Sequence, residues 1–303
     1  MTLEARVAAT TGEWAETQKP IVVAVDGSTR NRSAVAWAAG EAAAAGCKVA
    51  LVTAVEDYLL ETPHFSVRSQ DQQAQDMLAD VRHELRHLVS EQDVSSEVVA
   101  GSPVGVLLRR SDDARMVVVG KRGLGSFARV IVGSTSIAIA GRTKVPVAII
   151  PEAWKQEDHK DAPVVLGIDP YRPGHNPIRS AFSRAQRLGV KLVAVRGWEA
   201  PTAYSWDPDS MAGAVTQWEQ EAQAEFDKVL DVWQERFPDV EVVAVHSHSH
   251  PATAVLEAAE HAQLVVLGRH TEGKLGGFAF GSVTRAVLHY SECPVMVIPT
   301  KIN

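Results

Sequence analysis

The sequence predicts an α/β protein made of two tandem, open, doubly wound parallel sheets of five strands each. Three observations carry that expectation. The chain has 303 residues, more than one hydrophobic core usually supports and suited to two domains of roughly 150 residues. It also repeats itself once. Ile21–Asp26 matches Val164–Asp169 and Ala45–Val49 matches Leu188–Leu192 at an offset of 143, whereas Met116–Gly120 matches Leu264–Gly268 and Val145–Pro151 matches Cys293–Pro299 at 148. Finally, short runs of Val, Ile and Leu alternate with helical patterns in each copy. Continuous apolar runs without polar alternation belong to parallel strands buried on both faces.

In order, the first copy predicts strands at Ile21–Val25, Val49–Val55, Ser96–Ala100, Met116–Gly120 and Val145–Ile150. The intervening helices are alanine-rich Arg32–Ala45, the long Gln70–Glu91, Val104–Asp113 and Ser134–Arg142. The second copy repeats the pattern with strands at Val164–Ile168, Lys191–Val195, Val240–His246, Leu264–Gly268 and Val295–Ile298. Its long middle segment carries Trp206, Trp218 and Trp233, of which Trp218 and Trp233 are expected in a core or between domains. The expected organisation is an N-terminal arm (1–19), a first domain (20–152), a polar linker (153–162) ahead of Pro163, and a second domain (163–303). The two final strands, Val145–Ile150 and Val295–Ile298, are expected to bring the domains together as an internal pseudo-two-fold pair.

Composition excludes several classes. With 46% hydrophobic and 22% charged residues the chain is not globally disordered. No run approaches the ~18 apolar residues of a membrane span, and Met1–Lys19 lacks the apolar core of a secretory signal. Two cysteines, Cys47 and Cys293, are too few for a disulfide scaffold and fit a reducing cytoplasm. A net charge of −7 argues against general binding to nucleic acid or to an anionic membrane, so an anionic ligand needs a local site.

Such a site is legible after the fourth strand. Gly120-Lys121-Arg122-Gly123 is followed by nine residues and then by Gly133-Ser134-Thr135-Ser136, which opens a helix. Glycines allow close backbone approach and positive φ, and a helix N-terminus offers unpaired N–H groups to an anion. The hydroxyls of Ser134, Thr135 and Ser136 add possible donors. Residues 121–144 hold Lys121, Arg122, Arg129, Arg142 and Lys144 and no acid. In an open parallel sheet ligands bind at the carboxyl ends of strands, where Asp26 and Gly120 both lie.

The pattern Gly-x2-Gly-x9-Gly-Ser, with Val25-Asp26-Gly27-Ser28 and the closing Val145-Pro146-Val147, resembles the universal stress protein family. The likeness extends over both halves, as in the tandem members typical of actinobacteria, and implies an adenine nucleotide alpha hydrolase-like fold. It also implies an adenine nucleotide across strands one and four. Asp26 and the main chain near Val55 would serve the nucleoside, and the glycine loop with Ser134–Ser136 would serve ribose and phosphates. The expected ligand is ATP, with Mg²⁺ as phosphate counter-ion.

The second copy departs from this pattern. It reads Gly268-Arg269-His270-Thr271, nine residues, then Gly281-Ser282-Val283-Thr284. Thr271 replaces the second glycine, and Pro170-Tyr171 follows Asp169 where Gly27-Ser28 follows Asp26. A β-branched residue suits positive φ poorly, so a weaker or altered second site is expected.

Rival readings are less complete. Gly123–Ala128 fits a relaxed dinucleotide fingerprint but follows the fourth strand, not the first, and no acid appears before Glu152 to hold a ribose. Neither a Walker loop nor a Gly-x-Ser-x-Gly elbow occurs. His246, His248 and His250 alternate along a strand end, where metal binding, with His261 or His270, competes with solvated or hydrogen-bonded imidazoles. Asp26 and Asp169 could equally pin turns, and Ser134 could simply cap its helix. The expected function is therefore regulatory: a nucleotide-binding stress protein acting on a protein partner, associating into dimers through exposed sheet edges. A slow ATPase or phosphotransfer protein and a nucleotide-free scaffold are the alternatives.

Overall fold

The computed structural model describes residues 19–55, 67–123, 132–169, 171–199, 208–270 and 280–300. Two compact units divide them, the first within Trp14–Gln156 and the second within Glu157–Leu275 and Phe280–Asn303.

In the first unit, strands β1 (Ile21–Ala24), β2 (Val49–Val55), β3 (Val94–Ala100), β4 (Met116–Gly120) and β5 (Val147–Ile150) form a parallel sheet in the order β3-β2-β1-β4-β5. Its helices are α1 (Arg32–Ala45), α2 (Val67–Leu85), α3 (Pro103–Ser111) and α4 (Ser134–Arg142). The second unit has β6 (Val164–Gly167), β7 (Leu192–Gly197), β8 (Val242–Ser247), β9 (Leu264–His270) and β10 (Val295–Thr300), in the order β10-β9-β6-β7-β8. Helices α5 (His175–Leu188), α6 (Pro208–Gln234), α7 (Pro251–Ala259) and α8 (Ser282–Tyr290) accompany them. Placing β1 between β2 and β4 makes a topological switch point, because the connections leave it in opposite directions.

The core is where the apolar runs predicted it. Ile21, Val23, Val49, Leu51, Val117, Val118, Val147 and Ile150 are wholly buried, as are Val164, Val165, Leu166, Leu192 and Val265. Burial on both faces stops at the outer strands, contrary to expectation. Ser95 and Ser96 of β3 and Val243 and Ala244 of β8 are exposed, because an outermost strand has no neighbour beyond it and its helix covers one face only. The predicted 70–91 helix ends at Leu85, and a 3-10 turn at Glu91–Asp93 leads into β3.

Ala194, Phe226 and Leu230 form a packed cluster between β7 and α6. Trp233 is buried and stacks near Phe182 and Phe237, whereas Trp218 is 36% exposed. Trp218 of α6 is therefore not a core residue. Trp206 falls outside the described residues. Cys47 and Cys293 are free thiols. No helix among the described residues is long and apolar enough to cross a membrane.

Candidate nucleotide site

A cavity of about 920 Å³ opens at the carboxyl ends of β1, β2 and β4. This is at the upper end of the range for small-molecule sites. Of the residues singled out in the first copy, Asp26, Gly27, Val55, Gly120, Arg122, Gly123, Gly133, Ser134, Thr135 and Ser136 line it. Ser28 and Lys121 are not among its lining residues.

Asp26 follows β1 by two residues, pins the turn and lines the cavity. Its Oδ1 accepts hydrogen bonds from the Ser28 N–H (3.0 Å) and Ser28 Oγ (2.8 Å), which gives Ser28 a supporting place behind the carboxylate. Gly27 between them has φ +77°, a left-handed conformation that suits glycine. At Gly123, of the two expected causes, close approach and positive φ, the structure shows close approach, and to a side chain of the protein itself. It is absent from the positive-φ residues, yet a Cβ built on it would lie 2.6 Å from Asp26 Oδ2. The requirement is close approach to a fixed carboxylate.

The first turn of α4 faces the cavity with Gly133 as N-cap. Its leading N–H groups have no intrahelical acceptor and offer themselves to an anion. Ser136 corrects the expectation of three phosphate-facing hydroxyls. It is 5% exposed, and its Oγ donates to the Gly120 carbonyl at 2.7 Å, so that proton is already used in tying α4 to β4. Ser134 and Thr135 keep the role open to them. The basic run disperses as well. Arg122 lines the cavity, whereas Arg142 sits in the last turn of α4 and Lys144 is 3.8 Å from Asp112. Arg129 lies outside the described residues.

Sequence reasoning missed the part of the wall that α2 and α3 supply. Gln70, Gln73, Ala74 and Met77 of α2 and Pro103, Val106 and Leu107 of α3 enclose the end near Val55, whose carbonyl accepts from Gly101 N–H at 2.8 Å. Thr53 and Asn31 form part of the floor. Ser102 caps α3 by accepting from Gly105 N–H.

The second unit is built on the same register with different side chains. Ile21 pairs with Val49 as Val164 pairs with Leu192, so Thr53 corresponds to Arg196. Thr53 pairs with Val98 where Arg196 pairs with His246. Arg196 is only 2% exposed, and its Nη1 lies 2.9 Å from each ring nitrogen of His246. Burial lowers the pKa of Arg196, whereas Tyr171, Asp169 and Glu219 are near enough to favour its charge. Asp169 keeps the turn, accepting from Tyr171 N–H at 3.0 Å. Gly268 lies within β9, with Pro177 and Thr300 within 3.2 Å of where its Cβ would be. Arg269 is 4% exposed, so its side chain presents little surface to a ligand, and burial pushes its pKa down. Gly281 caps α8, which begins with Ser282 and Val283 and buries Thr284. Thr271 and Pro170 lie outside the described residues.

The three alternating histidines do three separate things. His246 meets Arg196, His248 stacks near Trp198 at 5.0 Å between centroids, and His250 Nδ1 accepts from Ala252 N–H as the cap of α7. Among the described residues no group of His, Cys, Asp and Glu is arranged to hold a metal. Burial first, and then the Arg196 charge, lowers the His246 pKa below its usual 6.5, against opposing pulls from Glu219 and Asp227; His248 adds to the lowering. An unfolded imidazole takes a proton near pH 6.5 that the folded one resists. The second unit is therefore expected to lose stability as pH falls from about 6.5 through the lower folded pKa. Urea unfolding at pH 7.5 and 5.5 should show this loss, and His246→Gln should reduce it.

The profile of the Universal stress protein family matches residues 18–151 and again 162–299. Universal stress protein Rv2005c of Mycobacterium tuberculosis is 34% identical over 289 residues, covering 92% of this chain and 97% of its own. A solved universal stress protein from Archaeoglobus fulgidus has the same fold, with a TM-score of 0.65 at 19% identity, covering 94% of this chain and 97% of its own. A further universal stress protein, solved in complex with cAMP, matches 45% of this chain and 100% of its own at 24% identity and a TM-score of 0.37.

Proposed function

Because this chain belongs to the universal stress protein family, we propose that its first half binds ATP and that the protein works as a nucleotide-dependent regulator. The observation supporting this is the convergence of Asp26, Gly123 and the first turn of α4 on one 920 Å³ cavity at the switch point of the sheet. The chemistry is divided along the cavity. Asp26 is an acceptor and suits hydroxyl donors, whereas the α4 N-terminus and Arg122 suit phosphate oxygens. The apolar wall of Met77, Pro103, Val106 and Leu107 suits the face of a base. Asp26 is the one carboxylate among the described lining residues, so Mg²⁺ would be held by phosphates and water, as is common for this ion.

Hydrolysis is the weaker alternative. Asp26 is already bonded to Ser28 and no histidine or glutamate is among the described lining residues, which leaves no evident group to orient an attacking water. The second half takes no ATP in this reading, because Arg196 and its partners stand where Thr53 leaves room. Occupancy of the first half changes the surface at the carboxyl ends of the strands, and a regulatory partner reads that surface. Association of two chains through an outer sheet edge belongs to the same proposal. Calorimetric titration with Mg-ATP, AMP and cAMP tests it. Saturable ATP binding without steady phosphate release is expected; sustained phosphate release abolished by Asp26→Ala would replace the regulator with an enzyme.

A further inference from the structure

Asn31 stands out in the first-half cavity because its polar end is placed and unused. It occupies the N-cap position of α1, where an asparagine oxygen ordinarily accepts from a backbone N–H in the first turn, yet it makes no side-chain cap bond. The residue is 5% exposed and lines the cavity. Its Oδ1 is buried with no hydrogen-bond partner among the described residues. An uncompensated buried acceptor costs free energy, so a ligand that supplies the missing donor gains what the empty protein lacks. Its place is also defined: Nδ2 lies 3.3 Å from where a Gly120 Cβ would be, between the ends of β1 and β4 and beside the glycine loop.

We propose that Asn31 selects ribose, its carboxamide oxygen accepting a hydrogen bond from a ribose hydroxyl of the bound nucleotide. The inference rests on the nucleotide reading of this cavity and names a specificity residue within it. Phosphate oxygens are acceptors at neutral pH and cannot satisfy Oδ1. The hydroxyls of a ribose can, and a sugar seated beside Gly120, whose Cβ position lies 3.3 Å from Asn31 Nδ2, is within reach of this carboxamide. The soft χ2 bond of asparagine lets the carboxamide turn to meet such a donor.

The test compares ATP, 2′-deoxy-ATP and 3′-deoxy-ATP, with adenosine as a reference, on the full chain and on Asn31→Ala and Asn31→Asp, with and without Mg²⁺. The wild-type chain is expected to lose about tenfold in affinity for one of the two deoxy analogues, the worth of one neutral hydrogen bond. Asn31→Ala should bind ATP and that analogue alike. Asn31→Asp, which keeps the acceptor, should retain the preference while weakening triphosphate relative to adenosine through its added charge. A merely structural Asn31 would lower affinity for all three nucleotides equally in both variants, and that result overturns the proposal. So does a preference that vanishes without Mg²⁺, which would assign Oδ1 to metal-bound water. If the wild-type chain binds ATP but does not distinguish the analogues, only the role of Asn31 falls. If it binds no nucleotide, the reading of the cavity falls with it.

Discussion

Gly123→Ala is expected to weaken ATP binding by the first half about a hundredfold while leaving both units folded. The added methyl would sit 2.6 Å from Asp26 Oδ2, a separation that real Cβ atoms do not show. Relief requires either the loop or the carboxylate to move. The carboxylate is held by Ser28 N–H at 3.0 Å and Ser28 Oγ at 2.8 Å, so moving it sacrifices bonds to a charged acceptor. Such bonds are worth about 1.5–3 kcal/mol each, and about 3 kcal/mol corresponds to a hundredfold in affinity. The clash is with one named atom, which permits a sharper check. Asp26→Ala removes the obstacle, so adding Gly123→Ala to it should cost little more. Calorimetry on the two single variants and the double variant measures that non-additivity. An additive double variant would show that Gly123 matters for a reason unrelated to Asp26.

Arg196→Ala is expected to destabilise the second unit by about 2–4 kcal/mol, among the larger effects a single substitution produces. The residue is 2% exposed, and its guanidinium meets His246 with Tyr171, Asp169 and Glu219 near enough to favour its charge. Truncation leaves a void beside β7, takes the hydrogen-bond partner from His246 and removes the positive charge set against Asp169 and Glu219. Arg196→Met fills most of the volume and removes the cost of burying a charge, so its loss should be smaller. Denaturant unfolding followed by tryptophan fluorescence reads both, since Trp198 and Trp233 belong to this unit. An Arg196→Ala protein as stable as the parent would mean the cluster is a filler without energetic weight.

The fold was legible because its signal is long-range and redundant. The two copies state the same strands twice, and Asp26, Gly120 and Gly133 fall at strand ends and a helix start in any doubly wound arrangement. What escaped is what depends on side chains meeting across elements. Gln70, Gln73 and Met77 enter the cavity only through the way α2 lies over the sheet, and no periodicity announces that. Gly123 was singled out for close approach to a ligand and for positive φ, whereas the close approach the structure shows is to the Asp26 carboxylate; all of these leave the same letter in a sequence. Ser136 was misread because a hydroxyl in a phosphate-loop pattern looks available until the Gly120 carbonyl is found 2.7 Å away. Arg196 carried a usable signal. It is a charged residue inside an apolar strand at the position of Thr53, visible once the repeat is aligned residue by residue.

The central claim is that one adenine nucleotide is held per chain, in the first half. It is tested most directly by releasing bound nucleotide from the purified protein by denaturation, after saturation with Mg-ATP and removal of excess, and counting it by chromatography. The expected result is about one ATP per chain, falling sharply in Gly123→Ala and unchanged in Arg196→Met. Two per chain would contradict the assignment of the second half, and none would contradict the nucleotide site itself.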